Sequence, residues 1–274
     1  MALPPRESTI IEPTAPHTHT HTVVFLHGRG DSAAKLASSL AYSPASDNQT
    51  LPGALPGFRW VFPSAPIEAT ALNPTERRAQ WFDVWNVRDL ADREELQAEG
   101  LRASVGRVRE LVRAEAGRVG GLERVVVMGI SQGGATGVHV LLSLGEGERL
   151  GAFVGVSCRM VFPGRSLGET RGMLGMERGD GDDDDDDDDK EVSEAVRRTP
   201  VMLQHCVDDT VVRVEDGRVL RETLERFGGK GKRVEWREYL NGGHWFNSPA
   251  GTDDIVEFLS RELGVAPAVV GPAP

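Results

Sequence analysis

Cysteine is almost absent, with only Cys158 and Cys206 in 274 residues. That excludes a disulfide framework, and because both follow apolar, strand-like runs they are expected as buried thiols rather than a metal site or redox pair. Long apolar runs are missing as well. No stretch approaches the length needed to cross a bilayer, and the first twenty residues lack an apolar core flanked by Lys or Arg. Neither stable membrane insertion nor a secretory leader is expected, which predicts a soluble, cytoplasmic protein. Basic clusters are also lacking. The formal net charge is -11, but residues 180–191 hold nine Asp, one Glu and one Lys, so the remaining chain carries only -2. With no basic stripe or arm, a nucleic-acid partner is not expected. No internal repeat is visible, and nothing in the chain indicates an oligomeric state.

What is present alternates between strand and helix signals. Thr22-Val23-Val24-Phe25-Leu26-His27 reads as a buried strand leading into the glycine turn Gly28-Arg29-Gly30-Asp31. Asp31 is expected to cap a helix over 32–40. A second strand is predicted at 58–62, followed by an irregular segment over 63–80 that ends in the aromatic cluster Trp81-Phe82-Asp83-Val84-Trp85. Leu101, Val105, Val108 and Val112 form one helical stripe over about 93–116. Strands at 125–128, 152–156, 201–205 and 233–239 alternate with helices over 133–144, 214–227 and 253–263. This order predicts an α/β fold with a mostly parallel sheet and helices on both faces. The length suits one domain over 22–263, with tails at 1–21 and 264–274. An acidic insertion over about 160–199, poor in apolar residues, is expected to stay solvated. Neither that Asp run nor Thr18-His19-Thr20-His21 is expected to be a built metal site, so no metal is assigned.

Ser131 carries the sharpest signal. Gly129-Ile130-Ser131-Gln132-Gly133 sits between an apolar strand and a helix, the setting of a nucleophile elbow. A serine hydroxyl needs an imidazole to take its proton, and that imidazole needs an acid to fix its tautomer. In a strand-to-helix fold of this kind the order is Ser, acid, His. His244, in Asn241-Gly242-Gly243-His244-Trp245, lies in the last such loop, while Asp208 and Asp209 follow the 201–205 strand. Two adjacent acids in extended chain cannot both face the same way, so one is expected to be the triad acid and the other solvated. His27 is the main rival base, with bracing of its glycine turn as the blander role. Backbone N–H groups of Arg29 and Gln132 occupy the positions expected for an oxyanion hole. Trp81, Phe82 and Trp85 are candidates for lining an acyl groove, with packing against the sheet as the alternative.

Together, Phe25-Leu26-His27-Gly28-Arg29-Gly30-Asp31, Phe62-Pro63-Ser64-Ala65-Pro66, Trp81-Phe82-Asp83, Gly129-Ile130-Ser131-Gln132-Gly133-Gly134 and Gly155-Val156-Ser157-Cys158 resemble the phospholipase/carboxylesterase family that includes acyl-protein thioesterases. The resemblance implies an α/β-hydrolase fold and cleavage of esters or thioesters, S-acylated proteins among them, without a cofactor. It selects Asp209 as the acid. A general small-ester carboxylesterase or lysophospholipase is the alternative enzyme, and a non-catalytic ligand-binding relative is the alternative outside enzymes. Three places depart from the family pattern. Arg29 stands where an apolar residue is usual, the stretch after Cys158 is less aromatic and leucine-rich, and Gly243-His244-Trp245-Phe246 is bulkier.

Overall fold

Alternate residues of the central strands enter two different cores, which is what a period of two dictates for a strand covered on both faces. Val24, Leu26, Val125 and Val127 join one apolar cluster, while Val23, Phe25, Val126 and Met128 join the other. A computed structural model describes residues 8–176 and 192–268.

The chain runs through β1 (Ser8–Ile11), β2 (His21–Leu26), α1 (Ala33–Ser39), α2 (Leu51–Ala54), β3 (Phe58–Pro63) and the hairpin β4 (Ile67–Ala69) and β5 (Arg77–Ala79). It continues through α3 (Glu95–Val119), β6 (Val125–Ile130), α4 (Gln132–Leu142), β7 (Ala152–Val156), α5 (Leu167–Met173) and α6 (Glu194–Arg198). The last elements are β8 (Val201–Cys206), α7 (Val214–Gly228), β9 (Glu235–Tyr239) and α8 (Ala250–Leu263). Seven strands form one sheet in the order β1-β3-β2-β6-β7-β8-β9, antiparallel only at β1 with β3. The cluster on one face takes in Leu101, Val105, Val108 and Val112 of α3, with Val138 of α4 and Leu220 of α7. The opposite face carries Leu36 of α1 and Ile255, Phe258 and Leu259 of α8. This is an α/β-hydrolase arrangement of a mostly parallel sheet between helical layers. Among the described residues no helix is long and apolar enough to cross a membrane.

Strand order reverses between β2 and β6, which are adjacent and parallel. The loops leaving their carboxyl ends therefore diverge to opposite sides of the sheet, and the crevice between them is where open α/β sheets bind ligands.

Several boundaries differ from expectation. The tail expected over 1–21 ends far earlier: Ser8–Ile11 pairs with β3 from Pro63 back to Trp60, because the short apolar run completes an otherwise open sheet edge. The insertion expected over 160–199 is packed at both flanks. Met160, Val161 and Phe162 are buried, and Ser166 closes a capping box with Glu169 at the start of α5. The Asp run itself lies outside the described residues. After Gly264 the chain is held rather than loose as far as residue 268, with Ala268 N–H donating to Ala54 O. The α1 cap is Ser32, whose hydroxyl accepts from Lys35 N–H, and not Asp31. Cys158 and Cys206 are free and buried, as expected.

Candidate active site

Ser131 stands at the turn between β6 and α4, with φ of +56° and ψ of -124°. Such a conformation is costly for a residue with a side chain and persists only where its surroundings leave no alternative. The flanking glycines supply that constraint. A Cβ at Gly129 would lie 2.5 Å from the Gly133 carbonyl carbon, and one at Gly133 would lie 2.3 Å from Leu26 O. Strand, turn and helix therefore approach as closely as bare backbone allows. Ser131 N–H donates to Val156 O at 3.0 Å, which ties the turn to the neighbouring strand.

The Gly28–Asp31 loop faces Ser131 from β2. Gly30 adopts φ of +81° and its N–H donates to Ala79 O at 2.7 Å. His27 braces this loop: one ring nitrogen, Nδ1, donates to Gly28 O at 2.7 Å, and Nε2 accepts from Ala65 N–H at 3.0 Å. Both ring nitrogens are thus committed, and the rival base has no nitrogen left for proton transfer. The Arg29 backbone N–H has no acceptor among the described residues. Gln132 opens α4, where a backbone N–H has no intrahelical acceptor. Its side chain is engaged elsewhere, accepting from Trp81 N–H at 2.9 Å and donating to Phe82 O at 2.7 Å.

The turn after β8 separates the two adjacent acids. Asp209 is buried, and its Oδ1 accepts from the N–H groups of Val211 at 2.8 Å and Val212 at 3.0 Å. Oδ2 lies 2.8 Å from His244 Nδ1 and 3.4 Å from His205 Nε2. Burial alone would raise the pKa of this carboxyl. The hydrogen bonds from His205, His244 and Val212 N–H outweigh burial and hold it well below the usual carboxylate range. Asp208 is exposed and accepts from Gly243 N–H at 2.9 Å, so it shapes the loop that carries His244.

Ser131, Gln132, Arg29 and His244 line one cavity of about 370 Å³. Its lining is apolar at Phe82, Val84, Leu90, Ala135 and Val212, and also includes Asp31, Arg78, Arg159 and Trp245. Of the three aromatic candidates only Phe82 lines it. Trp81 sits behind, donating from Nε1 to His27 O at 2.7 Å, and Trp85 lines a neighbouring depression with the Arg93 guanidinium 4.2 Å above its ring. Trp81 packs behind the cavity because the 81–85 segment turns its first indole inward against the β2 loop. Arg78 and Arg159 were not among the sequence candidates. They reach the cavity from β5 and from the loop after β7, and no local pattern marks a single arginine as a wall residue. His205, whose Nε2 lies 2.8 Å from Val212 O and 3.4 Å from Asp209 Oδ2, was not among the sequence candidates either. Among the described residues no cluster of three or more His, Cys, Asp or Glu is arranged to hold a metal ion.

The fold and the strained serine between glycines define an α/β-hydrolase. The sequence pattern of the phospholipase/carboxylesterase family matches residues 6–171, and the chain belongs to that family of ester and thioester hydrolases. Over 249 residues it is 28% identical to acyl-protein thioesterase 1 of Gibberella zeae, covering 89% of this chain and 92% of that one. The Yarrowia lipolytica acyl-protein thioesterase 1 is also 28% identical, over 88% of this chain and 90% of its own. In fold, the crystal structure of Zea mays acyl-protein thioesterase 2 aligns with a TM-score of 0.66 at 24% identity, over 94% of this chain and 100% of that one.

Proposed function

We propose that the protein hydrolyses its esters or thioesters through an acyl-enzyme on Ser131, with His244 as general base and Asp209 as the acid that orients it. The observation that carries this reading is the 2.8 Å contact between His244 Nδ1 and buried Asp209, at a cavity that the strained Ser131 also lines. With Nδ1 donating to the carboxylate, Nε2 is the nitrogen left to take the Ser131 proton. Ser131 Oγ attacks the acyl carbon, and the Arg29 and Gln132 N–H groups receive the developing oxyanion. The proton held on His244 passes to the leaving alcohol or thiol. Water, deprotonated by His244, then releases the acid and restores Ser131.

S-acylated proteins are the leading substrate, on the strength of relatives named acyl-protein thioesterases. A small-ester activity is the second reading, favoured by the arginines in the cavity wall. The test is labelling by a fluorophosphonate probe, with ester and thioester panels of increasing acyl length alongside. Wild-type protein labels, while Ser131→Ala and His244→Ala do not, although both keep their circular dichroism. An unlabelled wild-type protein would point to a non-catalytic binding role.

A further inference from the structure

The cavity holds a cation that hydrolysis does not use. Of its three wall arginines, Arg78 is bonded to Glu76 and its side chain is 43% exposed, so water and a near carboxylate both stabilise it. Arg29 is nearly as buried as Arg159, at 18% exposed, but it donates from Nε to the Gln80 side chain at 2.9 Å and has Asp83 Oδ1 at 3.6 Å. Arg159 is placed differently. Its side chain is only 15% exposed, its Nη2 donates to the Val87 backbone carbonyl, and among the described residues its nearest carboxylate, Asp216, is 3.9 Å away, with Asp89 farther off. That carboxylate is shared with the exposed Arg213, at 3.2 Å. A guanidinium offers five donors in a planar fork suited to a carboxylate. Arg159 therefore presents a largely desolvated guanidinium, with no carboxylate closer than 3.9 Å among the described residues, at a cavity whose lining is apolar apart from the other two arginines, Asp31, Ser131, Gln132 and His244.

That combination selects among acyl groups. A purely hydrocarbon chain filling the cavity gains from contact with Phe82, Val84 and Leu90, but it also strips water from Arg159 and gives its N–H groups no acceptor. A chain ending in an anion keeps the first contribution and reverses the second. We propose that the site takes ω-carboxyacyl groups, that is, half-esters or half-thioesters of medium-length dicarboxylic acids, with Arg159 as the residue that recognises the distal carboxylate. This rests on the hydrolase reading above and makes its small-acyl alternative specific. Length is bounded by connectivity. Ser131 is bonded to Val156 O, and Arg159 follows three residues later. Its Cα thus lies within about 11 Å of that strand end, close enough for one medium-length acyl group on Ser131 to reach the Arg159 side chain.

The experiment compares three 4-nitrophenyl esters at pH 7.5: the adipate half-ester with a free carboxylate, the same compound capped as its methyl ester, and the hexanoate. Wild-type protein is expected to favour the free acid over the capped ester in kcat/KM on the order of tenfold or more, chiefly through KM, as a charge-assisted hydrogen bond supplies. Arg159→Gln is expected to bring that ratio close to one, and Arg159→Lys to restore part of it. Free adipate should also compete for the wild-type site more strongly than hexanoate, a readout that needs no folded variant. Equal or faster hydrolysis of the capped ester, no competition by adipate, or a ratio unchanged in Arg159→Gln would each overturn the carboxylate assignment while leaving the hydrolase reading intact. Failure of the wild-type protein to hydrolyse any of the three overturns the hydrolase reading and this one with it.

Discussion

Two turns at the carboxyl edge of the sheet hold their key side chains by opposite means. The turn after β6 is fixed by exclusion: a Cβ at Gly129 or Gly133 would lie at 2.5 Å or 2.3 Å from backbone atoms, and Ser131 takes a positive φ because no other path joins strand to helix. The turn after β8 is fixed by attraction. It contains no glycine, and Asp209 is held by two backbone N–H groups together with His244 and His205. Exclusion places a backbone and tolerates no substitution at the contact. Attraction places a side chain, and it can be removed while the chain path survives.

The largest expected effect breaks the second turn alone. Asp209→Asn keeps the shape but leaves His244 without the partner that sets its tautomer, and kcat on a neutral ester is expected to fall on the order of 10,000-fold, as in a serine protease with the same change. The fold, followed by circular dichroism, should persist. A loss below about tenfold would mean that His244 is oriented by some other group.

Next in size is damage to the first turn. Gly133→Ala pushes a methyl group into Leu26 O, a backbone atom that cannot swing aside. Overpacking of this kind is expected to cost about 3 kcal/mol, a fall in Tm of roughly 6–12 °C for a chain of this size. Unchanged melting would show that the turn is held by something other than steric exclusion.

A pH series sharpens the contrast. Because the folded state holds the Asp209 carboxyl below its unfolded value, its contribution to stability is present above about pH 4 and is lost as pH falls further. The stability gap between wild-type protein and Asp209→Asn, measured by urea unfolding, should therefore narrow between pH 5 and pH 2. A constant gap would mean that the hydrogen bonds to Asp209 do not depend on its charge. Smallest of all is Asp208→Asn. The amide oxygen can still accept from Gly243 N–H, so kcat is expected to change less than about threefold, the equivalent of a fraction of one hydrogen bond. A loss rivalling that of Asp209→Asn would assign the acid to the wrong neighbour.

The same contrast explains which features were legible along the chain. Steric exclusion leaves a local mark, since only glycine fits at Gly129 and Gly133, and the elbow could be read from five consecutive residues. The strands were equally plain, because Val125–Met128 and Ala152–Val156 are buried on both faces and so are apolar throughout. The acids were ambiguous by residue type, for Asp208 and Asp209 differ only in which side of one strand end they face. Their separation needs His244 and Gly243, both 35 residues away in sequence.

Local sequence by itself determined six of the seven strands of the sheet, the elbow and the loop that carries His244, because each depends on periodicity or on backbone clearance within a few residues. Tertiary structure alone decided the rest. It made an edge strand of Ser8–Ile11, committed both nitrogens of His27 to bracing, and moved Trp81 behind the cavity. It also brought Arg78 and Arg159 into the wall. Each of these is settled by which distant surface a side chain meets, and burial, charge compensation and hydrogen-bond partners exist only once the chain has closed on itself.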